Sequence, residues 1–353
     1  MDGTAPRPRK PTIYNVAEAA GVAPSTVSRT FARPGRVRSD TAEHIRQVAA
    51  RLGYRSTALS RGAPGDQTRM IGLVIADVTN PFPFGIIRGA EAAAAEAGYT
   101  MILADSQESA RRERELLERV LPAVVGVVLA SPRMSDSAIR MIAKQSPTIV
   151  LNRAVQDVPS VVTDIRRGVR RAVEHLVSLG HGAITYVAGP EASWTDGMRW
   201  RALIEGASEL DVRVRRVGPF PPTVKGGVRA CAHLLDPQPQ AVLAYNDLLA
   251  IGVMRGLQAR GIRVPCDVSV VGFDDIFGAD LVTPGLTTVA APLRALGTTA
   301  VRNLLAVASG ARSRVGEPVT VPTRLVVRSS TTQRSRKSTS PALGTTKVSG
   351  SAS

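Results

Sequence analysis

The chain has 353 residues, 44% of them hydrophobic, and 45 Lys and Arg against 29 Asp and Glu give a formal net charge of +16. That length exceeds one ordinary core and implies two or three domains, the hydrophobic share excludes an unfolded chain, and the charge points to a polyanionic partner, nucleic acid or an anionic membrane surface. Cys231 and Cys266 make neither a disulfide framework nor a metal-ligand spacing, which favours a reducing cytoplasm, and no stretch has the length of a membrane span.

Residues 1–10 form a Pro-punctuated basic arm with Arg7, Arg9 and Lys10, expected to be disordered and to touch phosphate loosely. No apolar run follows it, so it does not read as a secretory signal. Thr12 to Arg29, TIYNVAEAAGVAPSTVSR, reads as two short helices with a turn at Gly21. Thr12 is placed to cap the first, which runs from Ile13 to about Ala20, with Asn15 facing back toward the cap. Gly21 suits the left-handed turn that ends it. Pro24 suits the first position of the second helix, and Val22 and Val27 would lock that helix against Val16, Ala17 and Ala20. Its outer face then carries Ser25, Thr26, Ser28 and Arg29, the short polar groups and single arginine that a helix in a DNA major groove requires. A helical hairpin with a merely solvated Ser/Thr face shows the same bare pattern. A third helix, roughly Asp40 to Leu52, has a stripe of Ala42, Ile45, Ala49 and Leu52 that closes a three-helix core.

From Met70 onward short apolar β-branched runs alternate with helical stretches. Strands are expected at 71–76, 101–104, 127–130, 148–151, 161–163, 184–188, 241–244 and 268–272. Helices are expected near 83–97, 109–121, 135–145, 166–179, 197–210, 226–235, 246–260 and 293–308. This is the alternation of parallel sheets covered on both faces by helices, an α/β doubly wound core. In such folds ligands bind beyond the carboxyl ends of the strands. Polar residues follow most of these strands: Asp77, Asp105, Ser131, Asn152, Asp164, Thr195, Asn246 and Asp274. Singly each is a strand terminator; together they converge on one crevice. His44, His175, His181 and His233 fall in or beside helices and read as structural. From Ser329 the chain is Ser/Thr-rich, basic and of low complexity, an expected disordered tail with no Leu heptad for a coiled coil.

The Thr12–Arg29 stretch resembles the DNA-binding signature of the lactose/galactose repressor (LacI/GalR) family of bacterial transcription regulators, departing from it at Asn15 and Ala23. IGLVIADVTNPF (71–82), VEHLVSLGH (173–181), LAYNDLLAIGVMRGL (243–257), VPCDVSVVGFDDI (264–276) and TPGLTTV (283–289) resemble further family blocks. The resemblance implies a helix-turn-helix domain over 11–55, a hinge over 56–68, a periplasmic-binding-protein-like core over 69–328 and a tail over 329–353. The core's lobes would take 69–164 with 292–323, and 165–291 with 324–328, with a three-strand crossover near Thr163–Gly168, Ala290–Pro292 and a final strand at Leu325–Arg328. It places Tyr14, Pro24, Ser25, Thr26, Ser28 and Arg29 on DNA, Arg29 reading guanine, with Arg36 and Thr41 on the phosphate backbone. Tyr54 and Ala63 fall in the hinge, where Ala63 stands at the position of a Leu that wedges into the minor groove. Ala is too small for that, so weaker kinking is expected.

For an effector bound between the lobes, the resemblance implies Phe82, Ser131, Asn152, Thr195, Arg199, Phe220, Asn246 and Asp274, with Thr195 and Arg199 in the loop after Gly189-Pro190. An ion pair between Arg199 and Asp274 is the other arrangement open to those two. Pro83 and Ala291 depart from the family pattern near this set. The implied function is a sequence-specific repressor, a cytoplasmic homodimer on a near-palindromic operator, whose affinity is changed by a small metabolite, a sugar, with no cofactor, no metal and no membrane. A transport solute-binding protein shares the lobes but predicts a signal peptide and no helix-turn-helix. An enzyme would use strand-end carboxylates such as Asp105 and Asp274, yet no phosphate loop, nucleophile elbow or metal spacing accompanies them.

Overall fold

The computed structural model describes residues 12–32, 37–52, 69–311 and 317–334. The basic arm, Arg36, Tyr54, Ala63 and the hinge assigned to 56–68 lie outside the described residues. The N-terminal region holds three helices, α1 (Ile13–Ala20), α2 (Pro24–Ala32) and α3 (Ser39–Arg51). The Thr12 N–H donates to Asn15 Oδ1 at 2.8 Å, so the amide supplies the acceptor that a carboxylate would. Gly21, at φ 65, ends α1. Val16, Ala17, Val27, Ile45, Val48 and Ala49 form the small core, with Ile13, Ala20 and Val22 packed against it. Ala42 joins the buried set, but Leu52 does not: it is 40% exposed. Helix α3 ends at Arg51, before Leu52, and Val48 one turn earlier fills the place expected for it.

The rest of the chain runs β1 (Met70–Ile75), α4 (Pro83–Glu96), β2 (Thr100–Asp105), α5 (Ala110–Val120), β3 (Val127–Ala130), α6 (Asp136–Gln145), β4 (Thr148–Leu151) and β5 (Ser160–Thr163). It continues through α7 (Ile165–Ser178), β6 (Ala183–Val187), α8 (Trp194–Glu209), β7 (Arg213–Val217), α9 (Val224–Leu234), β8 (Ala241–Ala244), α10 (Asp247–Gln258) and β9 (Ser269–Asp274). Last come α11 (Gly278–Leu281), β10 (Thr287–Ala290), α12 (Leu293–Ala308), β11 (Val319–Val321) and β12 (Arg324–Val326). Two sheets result, in the orders β11-β5-β4-β3-β1-β2 and β12-β10-β9-β8-β6-β7. Counted from its own first strand, each is wound 2-1-3-4-5 with one further strand, β11 or β12, beside the fifth, so one doubly wound plan is used twice. Strands β3, β4, β8 and β9 are buried along their whole length, as strands covered on both faces must be. The parallel pattern has an exception: β12 runs antiparallel to β10, with Val289 opposite Leu325.

Three strands went unanticipated. β7 reads RVRRV and sits at the sheet edge, where half the side chains face water and no continuous apolar run is needed. Its arginines also discourage pairing by a further strand. β10 and β11 are too short and Thr-rich to stand out. The chain divides into two compact units. The first holds the described residues of Met1–Thr79, Pro83–Val162 and Pro292–Thr320; the second holds those of Asn80–Phe82, Thr163–Ala291 and Val321–Ser353.

Ser329 to Arg334, expected to begin a disordered tail, are instead tied to the second unit. Ser330 is fully buried, donating to the Val270 carbonyl at 2.6 Å and accepting from the Thr287 N–H at 2.8 Å. The Arg334 N–H reaches the Leu179 carbonyl at 2.8 Å. Low-complexity composition misled here because Ser and Thr hydroxyls satisfy buried backbone groups as readily as they meet water.

Candidate functional site

On the N-terminal region, α2 turns Val27 and Thr30 inward while Pro24, Ser25, Ser28 and Arg29 are exposed. Thr26 and Thr41 are half-buried, and Tyr14 on α1 is 69% exposed. The Thr30 hydroxyl spends itself on the Thr26 carbonyl at 2.9 Å, so it is not available outward. What remains outside on α2 is a short polar helix face with one guanidinium, and on α1 an exposed phenol. Such a face offers donors to base edges and phosphates without bulk that would hold the helix off a groove.

In the second unit the strand ends build a polar cluster. Thr195 and Arg199 lie in α8, not in a loop, because Ser193 caps that helix early, its Oγ accepting from the Asp196 N–H at 3.3 Å. Arg199 is 5% exposed. Its Nη2 donates to Asp274 Oδ1 at 3.0 Å and its Nη1 to the Tyr245 carbonyl. The guanidinium carbon lies 3.6 Å from the Phe273 ring centre and 4.9 Å from that of Tyr245. The ion pair weighed from the sequence is therefore formed. Asp274 ends β9 with φ 116 and Asp275 follows at φ 54, a left-handed pair unusual for non-glycine residues and characteristic of functional strand ends. Burial raises the Asp274 carboxyl to about 6, against the opposing pull of Arg199.

The Asn246 side chain is largely committed: its Oδ1 caps α10 through the Leu249 N–H at 2.9 Å. Thr195 Oγ1 lies 2.8 Å from Ser193 Oγ. Phe82 and Phe220 pack partly buried on this unit's core, and the Phe220 ring lies 5.7 Å from that of His233.

Sequence reasoning missed the residues that hold this cluster. Asp247 is fully buried, accepting from Thr288 Oγ1 at 2.5 Å and the Ile276 N–H at 2.9 Å, and burial pushes its carboxyl well above the ordinary range. Asp196 takes Tyr186 Oη at 2.8 Å, the Gly189 N–H at 2.7 Å and Arg216 at 2.6 Å. Tyr245 touches Ser193, Thr195 and Arg199. Their signal was present: each adjoins a chosen residue in the chain, but taking one polar residue after each strand passed over its neighbours.

The first unit's strand ends are arranged differently. Ser131 and Asn152 both stand at φ 59, and Asn152 Nδ2 donates to Ser131 Oγ at 3.3 Å. Asn152 is 3% exposed, and its Oδ1 has no hydrogen-bond partner among the described residues; the same is true of Arg199 Nε. Asp77 and Asp105 are spent on local turns, taking the Thr79 and Gln107 N–H groups at 2.8 and 3.1 Å. Asp164 caps α7 through the Arg167 N–H at 3.0 Å. Among the described residues no cluster of His, Cys, Asp and Glu is arranged to hold a metal, and no helix is long and apolar enough to cross a membrane.

Residues 12–56 match the model for bacterial regulatory proteins of the lacI family, and residues 173–331 match that for a periplasmic binding protein-like domain. Catabolite control protein A of Priestia megaterium is 32% identical over 305 residues, covering 83% of this chain and 91% of that one. A solved complex of the transcriptional regulator CelR with cellobiose superposes with a TM-score of 0.67 at 30% identity, covering 91% of this chain and 99% of that one. The lac repressor dimer bound to operator and the anti-inducer ONPF superposes with a TM-score of 0.68 at 27% identity, covering 92% of this chain and 100% of that one.

Proposed function

Because this chain belongs to the LacI family of bacterial transcription regulators, we propose that it represses transcription as a homodimer on a near-palindromic operator and that a small sugar changes its grip on DNA. The observation that carries the reading is α2, whose apolar side is buried by Val27 while Ser25, Ser28 and Arg29 face outward. Laid in the major groove, that face reads bases. Arg29 matches the O6/N7 edge of guanine, a pairing that discriminates by ~1–3 kcal/mol, while Pro24 and Ser25 are short enough to sense methyl groups and shape. Tyr14, Thr26, Ser28, Arg36, Thr41 and Tyr54 supply positioning contacts.

The effector falls to the strand-end residues of the core. Thr195, Arg199, Asn246 and Asp274 offer donors and acceptors, Phe82 and Phe220 offer apolar walls for a sugar's C–H faces, and Ser131 and Asn152 are the first unit's candidates. The Arg199 charge is met by Asp274 at 3.0 Å, so this set presents hydrogen bonds without net charge. That suits a neutral sugar better than a sugar phosphate. Family membership supports the rest: the lac repressor similar to this chain is a dimer on operator, and the similar CelR holds cellobiose. Ligand and DNA would then be coupled by ~1–3 kcal/mol, enough to change occupancy severalfold or more. The reading is of a cytoplasmic, non-catalytic protein that returns its effector unchanged.

Selection of genomic fragments by the purified protein, with and without a panel of neutral sugars, tests this directly. A near-palindromic site whose affinity shifts with one sugar is the expected result. Equal binding to random duplex under all conditions would overturn it. Arg29→Ala should lower the preference for operator over random duplex by about tenfold or more while leaving weak, salt-sensitive binding.

A further inference from the structure

Tyr245 follows β8 and precedes the Asn246 cap of α10, and its side chain is almost entirely buried. Its phenol oxygen lies 2.9 Å from Ser193 Oγ and 3.3 Å from Thr195 Oγ1, and those two hydroxyls lie 2.8 Å apart. The ring covers Gly189 so closely that a Cβ there would fall 2.5 Å from the ring's Cγ. Arg199 also lies over the ring, its guanidinium carbon 4.9 Å from the ring centre. One side chain thus fills the space between the Gly189 turn and the start of α8, and touches both residues of α8 assigned to the effector.

From these contacts we propose that Tyr245 is a specificity-determining residue, restricting the effector to a single-ring neutral sugar and presenting it with hydrogen-bond acceptors. The proposal rests on the sugar reading given above. Two physical arguments lead to it. The first is volume. A buried phenol fills the space beside Ser193, Thr195 and Arg199 that a smaller residue would leave open to a larger ligand, and a well-packed interior does not yield such space cheaply.

The second is proton count. Three hydroxyls carry three protons, and three mutual contacts can absorb all of them in a closed ring. Each oxygen then keeps lone pairs but no proton for an outside partner. Ser193 Oγ additionally receives the Asp196 N–H at 3.3 Å, and Thr195, the least buried of the three, keeps its Oγ1 as an acceptor. A sugar hydroxyl, which donates, satisfies it; an ether or carbonyl oxygen does not.

Calorimetric titration of the full chain with a panel of aldopentoses and aldohexoses and with cellobiose tests the proposal. The wild type should bind at least one monosaccharide at least 100-fold more tightly than cellobiose. In Tyr245→Ala that ratio should fall to below tenfold. Tyr245→Phe keeps the ring, loses the hydroxyl and guards against a collapsed alanine variant; it should keep the size discrimination while weakening the monosaccharide about tenfold. A residue with only a packing role would weaken all sugars by one factor, so an unchanged ratio in Tyr245→Ala overturns the proposal, as does a wild type that prefers cellobiose. If the wild type binds no sugar yet holds its operator, the sugar reading itself fails and this proposal with it.

Discussion

The two sheets are wound in the same strand order, yet they end their strands in different chemistry. In the first unit the charged side chains brace a loop: Glu113 accepts from the Arg133 and Met134 N–H groups at 2.8 and 3.1 Å, and Arg153 reaches the carbonyls of Pro132 and Met134 and the half-exposed Asp136. Of that unit's strand-end residues, Ser131 and Asn152 are neutral, while Asp77 and Asp105 are taken up by local turns. In the second unit a buried charge stands at a strand end: Asp274, at the end of β9, pairs with Arg199 of α8 at 3.0 Å with both side chains 6% exposed, and Asp247 and Asp196 are buried as well. Topology therefore does not dictate where charge is placed. The second unit holds a preorganised but neutralised polar surface, and its burial makes each member dependent on the others.

The comparison breaks most readily at Arg199. Arg199→Ala leaves Asp274 buried beside an uncompensated site and should destabilise the second unit by ~3–5 kcal/mol, whereas Arg153→Ala in the first unit should cost roughly 1–2 kcal/mol because its carboxylate partner is half in water. Urea melts followed by a probe in each unit would check this, and equal losses would erase the distinction. The shared winding is sharpened by a pair of glycines. A Cβ at Gly89 would meet the Arg294 carbonyl oxygen at 1.9 Å, and one at Gly227 the Leu249 carbonyl oxygen at 2.2 Å, so two helices touch backbone to backbone in each unit. Gly89→Ala and Gly227→Ala should each destabilise their own unit by about 3 kcal/mol.

Smaller effects follow at the second unit's edge and at its carboxylate. Ser330→Ala strands the Thr287 N–H and the Val270 carbonyl and should lower stability by roughly 2 kcal/mol in the same melts. Asp274 is raised to about 6 from its ordinary 3.8, so the folded chain retains a proton that the unfolded chain has released. Its contribution is complete below the unfolded value and is lost as pH rises through about 6. Between about pH 5 and about pH 7.5 the wild type should lose roughly 1.4 kcal/mol relative to Asp274→Asn. A difference independent of pH would remove Asp274 from the buried set.

Much of this was legible from the chain alone. Hydrophobic periodicity located eight of the nine helices described in the core, all but the one-turn α11, and most of its strands, because a strand covered on both faces must be apolar throughout and a helix on a sheet must be apolar on one side. Gly21 and Pro24 punctuate the N-terminal hairpin for local reasons, and a motif of neighbouring residues records its own turn. The strand-end rule also named Asn152, Thr195 and Asp274 from their place after apolar runs. It failed where partners are remote in sequence: β7, whose edge position excuses its arginines, and Ser330, whose composition resembles that of a solvated tail.

What local chemistry determined, then, was which elements form and which residues end them, since those preferences act over a few neighbouring positions. Only the folded chain decided that Arg199 is spent on Asp274, 75 residues away, that Tyr245 closes a hydroxyl triangle with Ser193 and Thr195, and that the last described residues belong to the second unit. Each of these depends on desolvation. A polar group removed from water must take whichever partner the fold brings within reach, and the order of residues does not record that distance.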